Sequence, residues 1–251
     1  MQERMLGDSQ RSYARLAGLM YLVVLLLDIA GSVIVSSVGG TGTFVEVSHR
    51  ILASETLYRF GLVLLLGGTL STIVLGVSLY ATLKPVDGNL TMMALLFRLA
   101  ETAIGAVGVV IAFSVLQIQL AANHANAFDA NQLGALANLS PAIGTQVSAI
   151  FFSAGSTVFF YVFLKSGYIP RALSAWGIFA SLAYLAVWLI DLIFPNHPDL
   201  VIILGSLPIL VAEVGTALWL LTKGIHNSEN VTGPVALNST PLHSSAAAGA
   251  R

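Results

Sequence analysis

Six long apolar runs, each long enough to cross a bilayer, decide what this chain can become. They fall at about 14–38, 57–83, 90–122, 143–164, 172–194 and 200–222. At 1.5 Å per residue, each spans a hydrocarbon core of ~30 Å as a helix. Backbone groups in lipid must be satisfied internally, which a helix achieves within one segment. Barrel strands would show ~10-residue segments of alternating polarity, and these runs do not alternate. Composition agrees: 56% of residues are hydrophobic and 9% charged, too few charges to clothe a soluble domain. The expected fold is an all-α membrane protein, a polytopic bundle of six transmembrane helices, with the lipid bilayer as its first partner.

A net charge of −1 gives no basic field for nucleic acid. The absence of cysteine removes disulfides, thiolate nucleophiles and cysteine-ligated metals. No histidine lies in a span, and neither an HExxH pattern nor a phosphate-cradling glycine loop occurs. Nothing here calls for a metal or a cofactor, and no nucleophile set points to an enzyme.

Basic residues set the expected orientation. Arg4, Arg11 and Arg15 precede the first run, Lys84 follows the second, Lys165 and Arg171 flank the fourth connection, and Lys223 follows the sixth run. The other side has Arg50 and Arg59 in and beside the first connection. The bias places both termini in the cytoplasm of a cell whose inner membrane holds the protein. Arg11 and Arg15 before an apolar run also resemble a signal peptide, but the length of that run and its internal Asp28 favour a retained helix. The expected organisation is a cytoplasmic tail over 1–13, a membrane domain over 14–223 and a disordered cytoplasmic tail over 224–251, rich in Ser, Asn, Ala and Gly.

The connections carry their own signals. Ser54-Glu55 can cap the second helix, with Glu55 at the favourable end of its dipole and Arg59 one turn on as a partner. Asp129 and Gln132 form a capping-box pattern. With Leu133, Leu136 and Leu139 behind it, this predicts a short interfacial helix in the third connection, closed by Pro141. Pro85 with Asp87-Gly88, and Pro195 with Pro198, mark tight turns. Asp191 sits near the end of the fifth run on a face with Tyr184 and Trp188, where it is expected to reach the interface. Stripes such as Thr69, Thr72, Gly76 and Tyr80, or Gln146, Ser153 and Ser156, read as packing faces.

Four charges interrupt the runs near their middles: Asp28, Arg98, Glu101 and Glu213. An unpaired charge at a helix centre costs about 2.5–3.5 kcal/mol on insertion scales, so four would cost roughly 10–14 kcal/mol. Counted from the cytoplasmic boundary, Asp28 lies roughly 20 Å deep, Arg98 and Glu101 roughly 12 and 16 Å, and Glu213 roughly 15 Å. The four can meet if the first, third and sixth helices are neighbours. Arg98 and Glu101 are three residues apart and share a face. That face continues through Gly105 and Gly108, where a second helix can approach closely. One guanidinium faces three carboxyls, so pairing leaves at least one carboxyl to be protonated, hydrated or bound to a ligand. Ala100-Glu101 and Ala212-Glu213 occupy corresponding places in the two halves, but two residues in so apolar a background do not establish an inverted repeat.

Several segments together resemble a bacterial integral-membrane family catalogued as domain of unknown function 4386. They are Ala14-Arg15-Leu16-Ala17-Gly18-Leu19 with Tyr21-Leu22, Ile51-Leu52-Ala53-Ser54-Glu55 with Tyr58-Arg59, and Leu83-Lys84-Pro85-Val86. Phe97-Arg98, Phe128-Asp129 and Ser166-Gly167-Tyr168-Ile169-Pro170 complete the pattern, which covers about 12–224. The resemblance implies a multi-helix bacterial membrane protein and supplies no activity.

Two functions compete on this evidence. In one, the cluster binds or carries a small molecule or ion, and a cavity should reach it. In the other, a structural or regulatory subunit uses the cluster to lock helices, and it should be dry and fully paired.

Overall fold

The computed structural model describes residues 2–121, 142–194 and 199–225. The apolar runs become α1 (Gln2–Gly39), α3 (Glu55–Leu83), α4 (Gly88–Ala121), α5 (Ala142–Ser166), α6 (Arg171–Ile193) and α7 (Asp199–Thr222), while α2 (Phe44–Ala53) lies in the first connection. Each of the six long helices contains a stretch long and apolar enough to cross a membrane. The all-α bundle read from sequence is therefore the fold, and its helix ends match the apolar runs within two residues except at the start of α1. There, residues 2–13 continue the helix. The expected interfacial helix around 128–141, the Pro195–Pro198 turn and the C-terminal tail beyond Ile225 lie outside the described residues.

Local chemistry explains where helices stop. Gly40 and Gly167 take φ of 61° and 66° directly after α1 and α5, the left-handed conformation that ends a helix at least cost when the residue has no Cβ. Asp87 starts α4 by accepting from Leu90 N at 3.1 Å, and its second oxygen accepts from Lys165 Nζ at 2.8 Å. On the same side Gln10 Nε2 donates to Thr82 O at 2.7 Å and to Tyr168 Oη at 3.0 Å, tying the start of α1 to α3 and to the α5–α6 turn.

The six long helices form a closed ring in the order α1, α3, α4, α5, α6, α7 and back to α1. Both α1 and α7 place their outer chain ends on one side, here called the N face; α2 lies on the other. Glycines set the tightest approaches. A Cβ on Gly18 would lie 2.8 Å from Ala217 O, so α1 and α7 touch backbone to backbone near the N face. A Cβ on Gly31 would lie 2.9 Å from Gly61 O, which does the same for α1 and α3. Small residues at such crossings are how membrane helices gain van der Waals contact without a hydrophobic driving force. Outward, Leu26, Val33, Val63, Leu96, Val110, Phe179, Leu204 and Val211 are each at least 52% exposed, the apolar rim that lipid would cover.

Among the described residues, the larger core fills the N-face half of the ring. Leu75, Leu79 and Leu83 of α3, Phe159, Phe160 and Phe163 of α5 and Leu220 of α7 are at most 2% exposed and belong to one core. A second, smaller core of Val38, Ile51, Tyr58, Leu62 and Leu116 lies under α2. Helix α2 is amphipathic. Its Phe44, Val47, Ser48 and Ile51 turn inward at helical spacing, while Glu46, His49 and Arg50 face out. A capping box starts it: Glu46 N donates to Thr43 Oγ1, and Thr43 N donates to Glu46 Oε2 at 2.9 Å. That bond from the Thr43 N–H, together with the Thr43 hydroxyl, holds the Glu46 carboxyl below its usual value. Arg50 folds back to donate to Gly39 O at 2.6 Å and Thr41 O at 2.9 Å, closing the C-terminus of α1. Ser54 precedes α3 as expected but makes no side-chain cap. It is also the residue that ends α2, and its backbone N–H bonds back to Arg50 O and Ile51 O there.

Asp191, near the end of α6, is 8% exposed and accepts from Gln146 Nε2 at 2.5 Å, which links α6 to α5.

Candidate functional site

Arg98 is the centre of the ring. It sits on α4 and is only 2% exposed. Its Nη1 meets Glu101 Oε2 at 3.1 Å, one turn along the same helix. Its Nη2 donates to Ser156 Oγ on α5 at 2.8 Å and lies 3.6 Å from Glu213 Oε1 on α7. The guanidinium carbon stands 4.5 Å from the ring centre of Phe152, a cation–π contact. One planar fork thus holds α4, α5 and α7 together, a task suited to the fixed donor geometry of arginine. The Tyr21 phenol of α1, 4% exposed, completes the cluster within the field of Arg98, Glu213 and Glu101.

The helices that meet here are not the mutual neighbours the sequence invites. In the ring, α4 packs against α3 and α5, and α7 packs against α6 and α1. Arg98 and Glu213 therefore reach each other across the interior. Asp28 is drawn aside. It docks on α3, against the bare backbone of Gly68, and among the described residues it has no ion pair and no side-chain hydrogen bond. The structure thus gathers Arg98, Glu101 and Glu213 into one ionic group and leaves Asp28 beside it. Among the described residues, no set of three or more His, Asp or Glu is placed to hold a metal.

Above this cluster, on the α2 side, lies a cavity of about 810 Å³. Asp28, Arg98, Glu101 and Glu213 all line it. Thr69, Thr145, Ser148, Tyr184 and Ser206 add polar groups to walls that are otherwise apolar. Gly105 and Gly108 also face this space. A Cβ on Gly105 would stand 3.7 Å from Thr69 and 3.8 Å from Ser148 Oγ, and one on Gly144 of α5 would stand 3.7 Å from Gly108 Cα, so neighbouring helices approach closely along this face, while a Cβ on Gly108 itself would meet nothing within 4 Å. Glu101 and Glu213 keep 15% and 20% of their side chains accessible, whereas Arg98 keeps 3%. The acids therefore present themselves to the cavity, and the base is withdrawn behind them.

Two participants escaped sequence reading. Ser156 lay on a stripe read as packing, and only its position opposite Arg98 gives it a role. Phe152 carried no polar signal at all. The pair Glu55 and Arg59 stands apart from this site: Arg59 Nε donates to Glu55 Oε1 at 2.6 Å, both side chains more than a third exposed at the α2 end of α3. It clamps one turn of helix, and exposed pairs of this kind contribute about 0.3–0.5 kcal/mol.

Comparison with known proteins adds a family and no activity. No curated protein and no solved structure matches the chain. The model of a family described as Domain of unknown function (DUF4386) matches residues 16–224, which takes in α1 from Leu16 onward, the other long helices, α2 and all four intramembrane charges. The chain belongs to that family, and it is a multi-pass membrane protein of it.

Proposed function

We propose that the cavity is a binding chamber for a small cationic ligand or ion, and that the protein carries or senses that ligand in the membrane. The observation behind this reading is the unequal pairing around a cavity of ligand size. Pockets of roughly 300–1,000 Å³ accommodate small organic ligands, and this one is about 810 Å³. Its polar end holds three carboxyls and one guanidinium. Glu101 and Glu213 share that guanidinium, and Asp28 has no hydrogen-bond partner within the described chain. Intramembrane carboxyls turned toward a cavity are the usual elements of ion and proton pathways. The packed N-face half of the ring closes the chamber on that side. By the distribution of Lys and Arg, the N face is the cytoplasmic one.

The test is calorimetric titration of the purified protein with alkali cations and water-soluble amines such as methylamine. Saturable binding, lost in Asp28→Asn and weakened in Glu213→Gln, is expected. Absence of binding across that panel, in protein that is folded, would remove this reading.

A structural role is the second reading, and one observation favours it. Arg98 bonds groups on α4, α5 and α7 at once, which is what a clamp would do. A clamp, however, has no need of Asp28 or of the space above it.

A further inference from the structure

We infer that the ligand is an amphipathic amine, with one cationic head and an apolar body, and that it enters from the bilayer through the seam between α1 and α7. This rests on the cavity being a binding chamber and goes beyond it by naming the ligand class and the route.

The route comes from the way cavity wall and lipid surface merge. Helices α1 and α7 are locked at Gly18 and Ala217, near the N face. Toward the α2 side, Ile29 of α1 and Ile203 and Leu207 of α7 line the cavity, yet they are 50%, 57% and 50% exposed. Ile29 sits three and four residues from Leu26 and Val33, and Leu207 three and four from Leu204 and Val211. Those four neighbours, 56–66% exposed, are on the outer rim and do not line the cavity. The helical repeat therefore puts cavity wall and rim side by side on both helices. A solute can pass between them without crossing the filled half of the ring.

The class comes from what the site offers. Its walls are mainly aliphatic and aromatic, which suits an apolar body. Its polar end has an excess of carboxyl over guanidinium, which excludes a fatty anion and welcomes an ammonium group. Asp28, the carboxyl without a partner, lines the cavity from α1, where an entering head can reach it. Tyr21, Phe152 and Tyr184 supply ring faces for an alkylammonium head.

The experiment measures radiolabelled dodecylamine, dodecanol and dodecanoate binding to the full chain in nanodiscs, with methylamine as a water-soluble control. Dodecylamine should bind saturably and more tightly than the alcohol or the acid. Asp28→Asn should weaken it about tenfold or more, as loss of a charge-assisted bond does, and Asp28→Glu should restore binding. Ile203→Trp, which narrows the seam, should slow dodecylamine association and leave the methylamine rate unchanged. Equal binding of amine and alcohol overturns the ligand class, and Asp28-dependent methylamine binding would then still uphold the chamber. An Ile203→Trp protein that takes up dodecylamine at the wild-type rate overturns the lateral route. If neither amine binds, the inference and the chamber fall together.

Discussion

Glu213 Oε1 lies 3.6 Å from Arg98 Nη2, and this contact joins two helices that face each other across the ring. One guanidinium serves several carboxyls here: Glu101 competes with Glu213 for Arg98, and Asp28 lies beyond its reach. The fold therefore depends on Arg98 far more than on any single acid.

Arg98→Ala should be the most damaging single substitution in the membrane domain. It strands two buried carboxylates and releases Ser156, and removing one partner of a buried pair costs about 3–5 kcal/mol. Arg98→Lys should recover little, because a point charge cannot replace a fork that reaches α5 and α7 together. Glu213→Gln, which removes only the longer of the two ionic contacts, should lower the melting temperature by a few degrees at most. The yield of monodisperse protein and the melting curve measure all three.

How far the site was legible in the sequence follows from the same geometry. Helix spans, the all-α class and the four intramembrane charges were readable because charge in an apolar run is a strong local signal. The pairing of Arg98 with Glu101 was readable too, since three residues on a helix is a fixed distance. Ring order was not readable: it depends on which glycines meet which neighbours, and Gly18, Gly31 and Gly61 look alike in one dimension. For that reason Asp28 was expected in the ionic group and stands outside it. Helix α2 could have been found. Thr43 and Glu46 form the same capping pattern that was read at Asp129 and Gln132, with apolar residues at helical spacing behind it. The hidden roles of Gln146 and Ser156 needed the third dimension, because a polar residue on a packing stripe does not announce its partner.

Gly18→Leu should pry α1 from α7. Any Cβ there meets the Ala217 carbonyl and the Leu220 and Leu221 side chains, and overpacking of this kind costs typically about 1–3 kcal/mol. A lower melting temperature is expected, and a disulfide between two cysteines introduced at the N-face ends of α1 and α7 should form more slowly across the wider gap. Gly108→Ala, by contrast, should be nearly silent in stability, because a Cβ there enters open space.

Arg50→Ala should loosen α2 without unfolding the ring. The lost bonds to Gly39 O and Thr41 O are on an exposed side chain, so the cost is about 0.5–1.5 kcal/mol. Hydrogen exchange should accelerate in 41–53 and at the end of α1, while amides in the N-face half stay protected. Unchanged exchange in 41–53 would mean that the capping box alone holds α2.

Asp87 gives a pH dependence with a definite sign. Its bonds from Lys165 and from the Leu90 amide hold its carboxyl below the usual value of 3.8. A lowered folded value means that the ionised form is favoured by folding. Its contribution is complete above about pH 4, the unfolded value, and is lost as pH falls through the lower folded one. Asp87→Asn should therefore be less stable than the native chain at neutral pH, with the difference vanishing in strong acid. Melting curves across that range measure it.

The central claim is a ring filled on the N face and open above Arg98 on the α2 side, and the absence of native cysteine makes it directly testable. Single cysteines at Thr145 and Ser206 line the cavity, while those at Leu79 and Phe163 lie in the filled half. In sealed vesicles of known orientation, a membrane-impermeant maleimide should label Thr145→Cys and Ser206→Cys from the α2 side only, and should leave Leu79→Cys and Phe163→Cys unlabelled from both. Folded protein in which Thr145→Cys and Ser206→Cys stay unlabelled from the α2 side, or react from the N face, would contradict it.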